Sequence, residues 1–224
     1  DPKPGAPATD RTDIWFFYDD RALYVAARLW SEHPERERSN DSRRDAPLFR
    51  DTGDSFTVAL DTFHDRRNGY QFGVTPHGGL YDALSSNERD VNRDWNGIWD
   101  AKTKHVDGGW SVEMIIPLKT LRYAAGETQV WGVNVCRVTE WNHERDYFTR
   151  VSPSLGSGQG LLHFSSAATL VGLVLPPASR LFEIKPHLIG ETQTDSTIRP
   201  AIRNRVDGDL GVVRHGRCHH LERH

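Results

Sequence analysis

The feature that most constrains this chain is an alternation of apolar and polar residues with a period of two, which recurs wherever the sequence is apolar. The segment from 22 to 30 shows it clearly, because every second residue is apolar: Leu23, Val25, Ala27 and Leu29. A β-strand turns successive side chains to opposite faces, so such a run buries one face of a sheet. The pattern therefore predicts strands rather than helices.

Turn signals separate these runs, and the strongest is Asp107-Gly108-Gly109 between Ile98–Val106 and Trp110–Ile116. The same reasoning predicts further strands at Ile14–Tyr18, Leu23–Leu29, Phe56–Leu60, Tyr70–Val74, Leu80–Leu84, Trp131–Val135, Tyr147–Val151, Leu161–Phe164 and Thr169–Leu175. Leu118–Tyr123 is predicted to form a short helical turn. About ten strands with few helical turns indicate an all-β fold, an antiparallel β-sandwich of the immunoglobulin or jelly-roll kind.

The 224 residues are enough for one sizeable core with an appendage. Pro176-Pro177 interrupts the chain after the last predicted strand of the sandwich. We therefore predict a sandwich over residues 1–176 and the truncated start of a second β unit over 177–213. Residues 214–224 change abruptly to His, Arg and Cys without periodicity, which suggests an artefactual or tag-like tail.

Composition argues against several classes of function. A formal net charge of -3 with 26% charged residues gives no basic footprint for nucleic acid. The longest apolar run, Leu170–Leu175, is far shorter than the roughly 20 residues of a membrane-spanning helix. Cys136 and Cys218 alone form neither a disulfide framework nor a CxxC metal motif.

The stretch from Asp61 to Asp100 is rich in acidic and Asn side chains: Asp61, Asp65, Asp82, Glu88, Asp90, Asp94, Asp100, Asn68, Asn87, Asn92 and Asn96. Calcium takes six to eight oxygen ligands from such groups and from backbone carbonyls. The alternative is an ordinary solvated loop, because Asp and Asn also favour turns. The regular spacing of an EF-hand is absent.

The seven tryptophans divide by position. Trp110 and Trp131 occupy the alternate positions of their strands that should face the core, and we predict that they are packing residues. Trp95 and Trp141 lie in polar loops, where an indole ring suits the C–H face of a sugar. Arg93 and Asn96, beside Trp95, could hydrogen-bond the sugar hydroxyls. The alternative is that these two rings only cap the end of a core.

The usual enzyme motifs are missing: G-x-S-x-G, H-E-x-x-H, the P-loop and the dinucleotide-binding G-x-G-x-x-G. His64 and His77 are candidates for a general base, and no spacing selects partners for them. Paired carboxylates are too numerous for any glycosidase pair to be chosen.

Five separated motifs appear in order: Tyr18-Asp19-Asp20-Arg21-Ala22-Leu23-Tyr24-Val25, Asp61-Thr62-Phe63-His64-Asp65, Trp95-Asn96-Gly97-Ile98-Trp99, the run from Gly109 to Pro117, and Trp131-Gly132-Val133-Asn134. Together they resemble the family 9 carbohydrate-binding module. More closely, they resemble the module-9-like domain that precedes an outer-membrane β-barrel in bacterial proteins. The resemblance covers about residues 5–175.

This resemblance implies a β-sandwich, bound calcium, and a cleft in which tryptophans hold a glucose- or xylose-type sugar end. By motif, the calcium ligands would be Asp61, Asp65, Asp82 and Asp94, and the stacking residues would be Trp95 and Trp141. It also implies a periplasmic, cell-surface or secreted location and a barrel domain as a partner in the full-length protein.

Three functions follow as hypotheses. The first is a calcium-stabilised module that binds a polysaccharide or a small sugar end. The second is a calcium-dependent hydrolase of a small ester, lactone or glycoside near His64 or His77. The third is a periplasmic interaction domain for the barrel. A fold alone does not rank them.

Overall fold

The computed structural model describes residues 5–39, 53–152 and 159–176, together with the backbone of 183–194, 202–214 and 217–219. The chain divides into two compact units, Asp1–Ala178 and Ser179–His224. Within the described residues the only helices are 3-10 turns, including Pro34–Arg36, Leu118–Thr120 and Glu140–Asn142. None of the described helices has the length and apolar character needed to cross a membrane.

The first unit is an antiparallel β-sandwich, as predicted. The eleven strands among its described residues are β1 (Thr12–Tyr18), β2 (Ala22–Trp30), β3 (Ser55–Asp61), β4 (Gly69–Val74), β5 (Leu80–Ser86), β6 (Asp90–Asn92), β7 (Asp100–Val106), β8 (Gly109–Pro117), β9 (Thr128–Thr139), β10 (Glu144–Tyr147) and β11 (Ala168–Val174). The small sheet has the order β1-β2-β8-β7. The large sheet has the order β10-β9-β3-β4-β5-β6, and β11 pairs with another part of β9.

The core lies between the inner faces of the two sheets. The alternating residues of β2 are buried as predicted, and across the core Phe56, Val58 and Leu60 of β3 are also fully buried. Trp110 and Trp131 are buried too, which confirms their prediction as packing residues. Burial of this apolar surface, at about 25 cal/mol per Å², drives the two sheets together.

The outer face of the large sheet is covered as well, so every residue of β3 and β4 is buried. The prediction of a strand at Leu161–Phe164 is wrong, because this segment forms 3-10 turns at Gly160–Leu162 and Phe164–Ser166. Leu161 and Phe164 are three residues apart, so one turn of the chain brings both onto Ala59 and Cys136. A Cβ at Gly69 would lie 2.5 Å from the ring of Phe164, so this close packing requires glycine.

The hairpins set which turns meet at each end of the sandwich. Because β3 and β4 are antiparallel, the β3–β4 turn (62–68) and the β4–β5 turn (75–79) lie at opposite ends of β4. The β4–β5 turn shares its end with the Pro34–Arg36 turn, the β7–β8 turn and the Glu140–Asn142 turn, because Glu37 contacts His77 and His105, and Arg36 contacts Trp141. We call this end, residues 33–37, 75–79, 105–109 and 140–143, the carboxylate-histidine end.

The second unit contains an antiparallel sheet in the order β12 (Glu183–Thr194), β13 (Ile202–Arg214) and β14 (Arg217–His219). The predicted boundaries at 177 and 214 stay predictions. The side chains of these strands, including that of Cys218, and residues 220–224 lie outside what the structure describes.

Candidate functional site

Asp61 and Asp65 hold the β3–β4 turn together. The fully buried carboxylate of Asp61 accepts hydrogen bonds from the backbone N–H groups of Asp65 (3.1 Å) and Arg66 (2.8 Å). Asp65 in turn accepts the backbone N–H groups of Arg67 and Asn68, both at 2.8 Å. These bonds make both aspartates turn-stabilising residues, whether or not the turn also binds an ion.

The other two predicted calcium ligands lie elsewhere. Asp82 is fully buried in β5, where Oδ2 accepts the backbone N–H of Gly97 at 2.5 Å. This bond anchors the loop that leads from the large sheet to β7. Asp94 is exposed in that loop, and its backbone N–H donates to Asn92 Oδ1 at 3.0 Å. Among the described residues, none of the four aspartates belongs to a group of three ligand-type side chains close enough to share a metal ion.

Trp95 is half-buried against the core rather than free in solvent. Its ring centroid lies 5.2 Å from that of Tyr70 and 5.9 Å from that of Phe72. Arg93 and Asn96, the predicted hydrogen-bonding neighbours, are exposed on either side of it. The ring therefore closes the edge of the sandwich, and only part of its surface is available to a ligand.

The two candidate bases, His64 and His77, do not share a site. His64 lies in the β3–β4 turn with a φ of 53°, and His77 lies in the β4–β5 turn. The six residues of β4 separate the two turns by roughly 20 Å. The two histidines, which the sequence places in one acid-rich stretch, therefore lie at opposite ends of the sandwich.

Trp141 lies at the carboxylate-histidine end, half-buried in the Glu140–Asn142 turn. The guanidinium carbon of Arg36 lies 5.1 Å from its ring centroid, and the ring of His33 meets it edge-on at 5.2 Å. The indole N–H of Trp141 is buried, and no described residue accepts a hydrogen bond from it. Trp141 thus combines an aromatic surface with an unsatisfied donor.

Hydrogen bonds hold the Glu140–Asn142 turn at both of its ends. The backbone N–H of Glu140 donates to Asp54 Oδ1 at 2.8 Å, and His143, with a φ of 55° and a ψ of 35°, closes the turn. Burial raises the pKa of Asp54 to about 6, and the negative charge of Glu37 adds to the increase. The position of Trp141 is therefore set by a buried carboxyl group.

Beside Trp141, three ligand-type side chains meet at the same end. Oε1 of Glu37 lies 2.8 Å from Nε2 of His105 and 3.9 Å from Nδ1 of His77. The ligand atoms of all three residues lie within 4.8 Å of one another. Glu37 follows Arg36 directly, so the short segment 33–37 contacts both Trp141 and the two histidines.

Sequence reasoning missed His33, Arg36, Glu37 and His105. The first three come from a polar segment, His105 comes from the exposed end of β7, and no motif joins them. It also missed an aromatic face on the small sheet, where Trp15, Phe17 and Trp30 are exposed by 47%, 56% and 39%. The sequence did indicate that face, because Trp15 and Phe17 alternate with Ile14 and Phe16 along β1 and must therefore lie on the other side of the sheet.

Comparisons with known proteins identify the fold but not the functional site. No protein-family model matches the sequence, and no curated protein matches it. Among solved structures, the chain is similar to a provisionally named carbohydrate-binding protein from Bacteroides uniformis, with a TM-score of 0.60 at 9% identity over 76% of this chain and 80% of that one. At that identity, the similarity shows the sandwich fold alone.

Two further solved structures have lower scores. A family 9 carbohydrate-binding module from Caldicellulosiruptor kristjanssonii in complex with cellotriose has a TM-score of 0.46 at 17% identity, over 79% of this chain and 80% of that one. A family 9 module from the same organism in complex with glucose has a TM-score of 0.45 at 17% identity, over 79% and 82%.

Proposed function

We propose that this chain is a carbohydrate-binding module and that Trp141 is the residue on which the sugar stacks. The observation that carries the proposal is the position of Trp141. It is half-exposed on a hydrogen-bonded turn at one end of a β-sandwich, next to the polar side chains of His33 and Arg36. The similarity of the fold to that of the Bacteroides uniformis protein supports the same class of function.

Trp141 suits stacking better than Trp95 does. Trp95 already contacts two core aromatic rings, whereas the aromatic and cation contacts described for Trp141 are with His33 and Arg36, which are themselves polar. A sugar presents its C–H groups to an aromatic ring while its hydroxyl groups need hydrogen-bonding partners at the rim. A tryptophan at a polar rim meets both needs.

Several groups around Trp141 are able to bind hydroxyl groups. Asn142 donates through Nδ2 to Glu144 Oε2 at 2.7 Å, which leaves the second N–H of the amide for a ligand. His143 Nδ1 lies 3.6 Å from Glu140 Oε1 and is largely exposed. The guanidinium group of Arg36 offers further donors beside the ring. These groups would select a ligand rich in hydroxyl groups over a purely apolar one.

We also propose that Asp61 is a ligand of a structural calcium ion. The buried carboxylate of Asp61 accepts two backbone N–H groups, and none of the described residues forms an ion pair with it. A buried charge is costly unless it is paired or coordinates a metal. Because the four predicted aspartates do not form one cluster, most of the six to eight oxygens would have to be backbone carbonyls or solvent.

The test is binding of gluco- and xylo-oligosaccharides, including cellotriose, measured by titration calorimetry and tryptophan fluorescence. We expect saturable binding by the wild-type chain and a loss of at least tenfold in affinity for Trp141→Ala. No binding to any member of a broad oligosaccharide panel would overturn the proposed function.

The matched control is Trp15→Ala, which removes an exposed tryptophan from the small sheet. We expect its affinity for the sugar to equal that of the wild type. If Trp15→Ala abolishes binding and Trp141→Ala does not, the sugar binds on the aromatic face of the small sheet and the assignment to Trp141 is wrong.

The barrel partner and the periplasmic or cell-surface location stay predictions from the sequence. Hydrolysis at His64 or His77 also stays a prediction, and it is tested by the same protein against chromogenic esters, lactones and glycosides. Turnover that EDTA abolishes would establish it.

A further inference from the structure

We propose that Glu37, His77 and His105 together bind one transition-metal ion of the zinc class. This site is separate from the predicted calcium ligands, and it does not depend on sugar binding. Three features carry the inference: the convergence of the ligand atoms, the chemistry of the ligand set, and the way in which the fold holds each ligand.

The distances suit a single ion. In a tetrahedral zinc site with metal–ligand bonds of about 2.1 Å, neighbouring ligand atoms lie about 3.4 Å apart. Here Glu37 Oε1 lies 2.8 Å from His105 Nε2 and 3.9 Å from His77 Nδ1, and all three atoms lie within 4.8 Å of one another. The two distances from Glu37 lie on either side of the tetrahedral value.

The ligand set selects the kind of ion. Two imidazole nitrogens and one carboxylate oxygen suit Zn²⁺, Co²⁺, Ni²⁺ or Cu²⁺, whereas Ca²⁺ and Mg²⁺ prefer sites made of oxygen. Three protein ligands also leave at least one coordination position open for water or another small ligand. This ion is therefore distinct in class from the predicted calcium.

The fold holds the three ligands from separate elements. Glu37 follows the Pro34–Arg36 turn, and its side chain is only 14% exposed. His77 lies in the β4–β5 turn, where the backbone N–H of Gly79 donates to Thr75 Oγ1 at 2.9 Å. His105 lies on β7, opposite Trp110. Because β4 and β5 belong to the large sheet and β7 to the small one, the ion would link the two sheets at this end.

Without a metal, the same residues would form only a surface network in which the two histidines pair with Glu37. The two alternatives differ in measurable ways. A histidine–carboxylate pair at the surface adds little stability, and it gives no rise in melting temperature when metal is added. An ion that binds only the folded state raises the melting temperature by mass action.

The last residues of the chain contain other metal-binding side chains, which would also bind the added ion. The full chain is therefore tested in a background with His215, His219, His220 and His224 changed to Ala and Cys218 changed to Ser. Metal is removed with EDTA, and the EDTA is removed by dialysis. Zn²⁺ and Co²⁺ are then titrated in the absence of sugar.

We expect one Zn²⁺ per chain by calorimetry, a rise in melting temperature with Zn²⁺, and visible absorption of bound Co²⁺ that Zn²⁺ removes. His77→Ala and His105→Ala should each weaken binding at least tenfold and abolish the rise. Both side chains are more than half exposed, so neither change should unfold the protein. Glu37→Gln should weaken binding in the same way.

The matched control is His143→Asn, which removes an exposed histidine from the same end. Asparagine tolerates the positive φ of this position, so the turn is retained. Its metal affinity should equal that of the background chain. Failure of the background chain to bind Zn²⁺ or Co²⁺ at about tenfold molar excess would overturn the proposal. The proposal would also be overturned if His77→Ala and His105→Ala bound the metal as tightly as the background chain does. A failure of sugar binding alone would leave it intact.

Discussion

Asp54 Oδ1 accepts a hydrogen bond from the backbone N–H of Glu140, at 2.8 Å. Asp54 stands directly before β3, in the middle of the large sheet, and Glu140 begins the turn that carries Trp141. One buried bond thus ties the proposed stacking residue to a central strand of the sandwich. Both residues are buried, so water does not replace either partner readily.

The first prediction concerns Asp54→Ala. The change leaves the buried N–H of Glu140 without an acceptor, so the free energy of unfolding should fall by about 1–3 kcal/mol, as measured by urea denaturation. Sugar affinity should fall as well, because the turn that positions Trp141 loosens. Asp54→Asn retains an acceptor oxygen and should keep most of the affinity. Equal sugar affinity in Asp54→Ala and the wild type would show that this bond does not position Trp141.

Much of the fold could be predicted because the sandwich repeats one local rule. The alternation along β2 and β8 is visible in the sequence and corresponds directly to the buried faces. The three-residue strand β6 was not predicted, because Asp90–Asn92 is polar and too short to show a period. Leu161–Phe164 was assigned to the wrong element because a short apolar run fits either a strand or a turn until its packing partner is known.

The candidate site could be predicted only in part, since it depends on pairing between distant elements. Trp141 stands out in the sequence as a tryptophan among polar residues. Glu37, His77 and His105 have no common spacing, because three separate elements bring them together. Trp95 seemed equally exposed in the sequence, and only the structure shows Tyr70 and Phe72 beneath it.

The second prediction separates Trp95 from Trp141 by stability. Trp95→Ala removes a ring that packs on the core and should lower the free energy of unfolding by about 2–4 kcal/mol. Trp141→Ala removes a ring whose described aromatic and cation contacts are with polar side chains and should cost less than about 1.5 kcal/mol. Denaturant unfolding of both variants, with Trp95→Phe as the conservative control, gives the comparison. Equal losses for the two alanine variants would contradict the assignment of Trp95 to packing.

The third prediction is that stability decreases as pH rises from about 4.5 to 8. Burial raises the pKa of Asp54 to about 6. Burial, reinforced by the negative charge of Glu144, raises the pKa of Asp146 to about 7. Between the usual carboxyl pKa of 3.8 and these values, the folded chain holds protons that the unfolded chain has released. Rising pH therefore favours the unfolded chain.

The size of this effect should be on the order of 1–3 kcal/mol, because solvent screens the half-exposed Asp146. It is measured by urea denaturation at pH 5 and pH 8. The double variant Asp54→Asn with Asp146→Asn should show a smaller difference between the two pH values. A wild-type chain that is more stable at pH 8 than at pH 5 would contradict the sign.

The fourth prediction concerns calcium and Asp61. If an ion compensates the buried charge of Asp61, EDTA should lower the melting temperature and excess Ca²⁺ should restore it, because an ion that binds only the folded state stabilises it by mass action. The melting temperature is measured on the background chain that also carries His77→Ala, so that EDTA does not act through the proposed zinc-class site.

Asp94→Asn serves as the control, because Asp94 is exposed and its substitution should leave the response to EDTA and Ca²⁺ unchanged. A chain that binds no Ca²⁺ by calorimetry and whose melting temperature is insensitive to EDTA would instead make Asp61 a purely turn-stabilising residue, held by the N–H groups of Asp65 and Arg66.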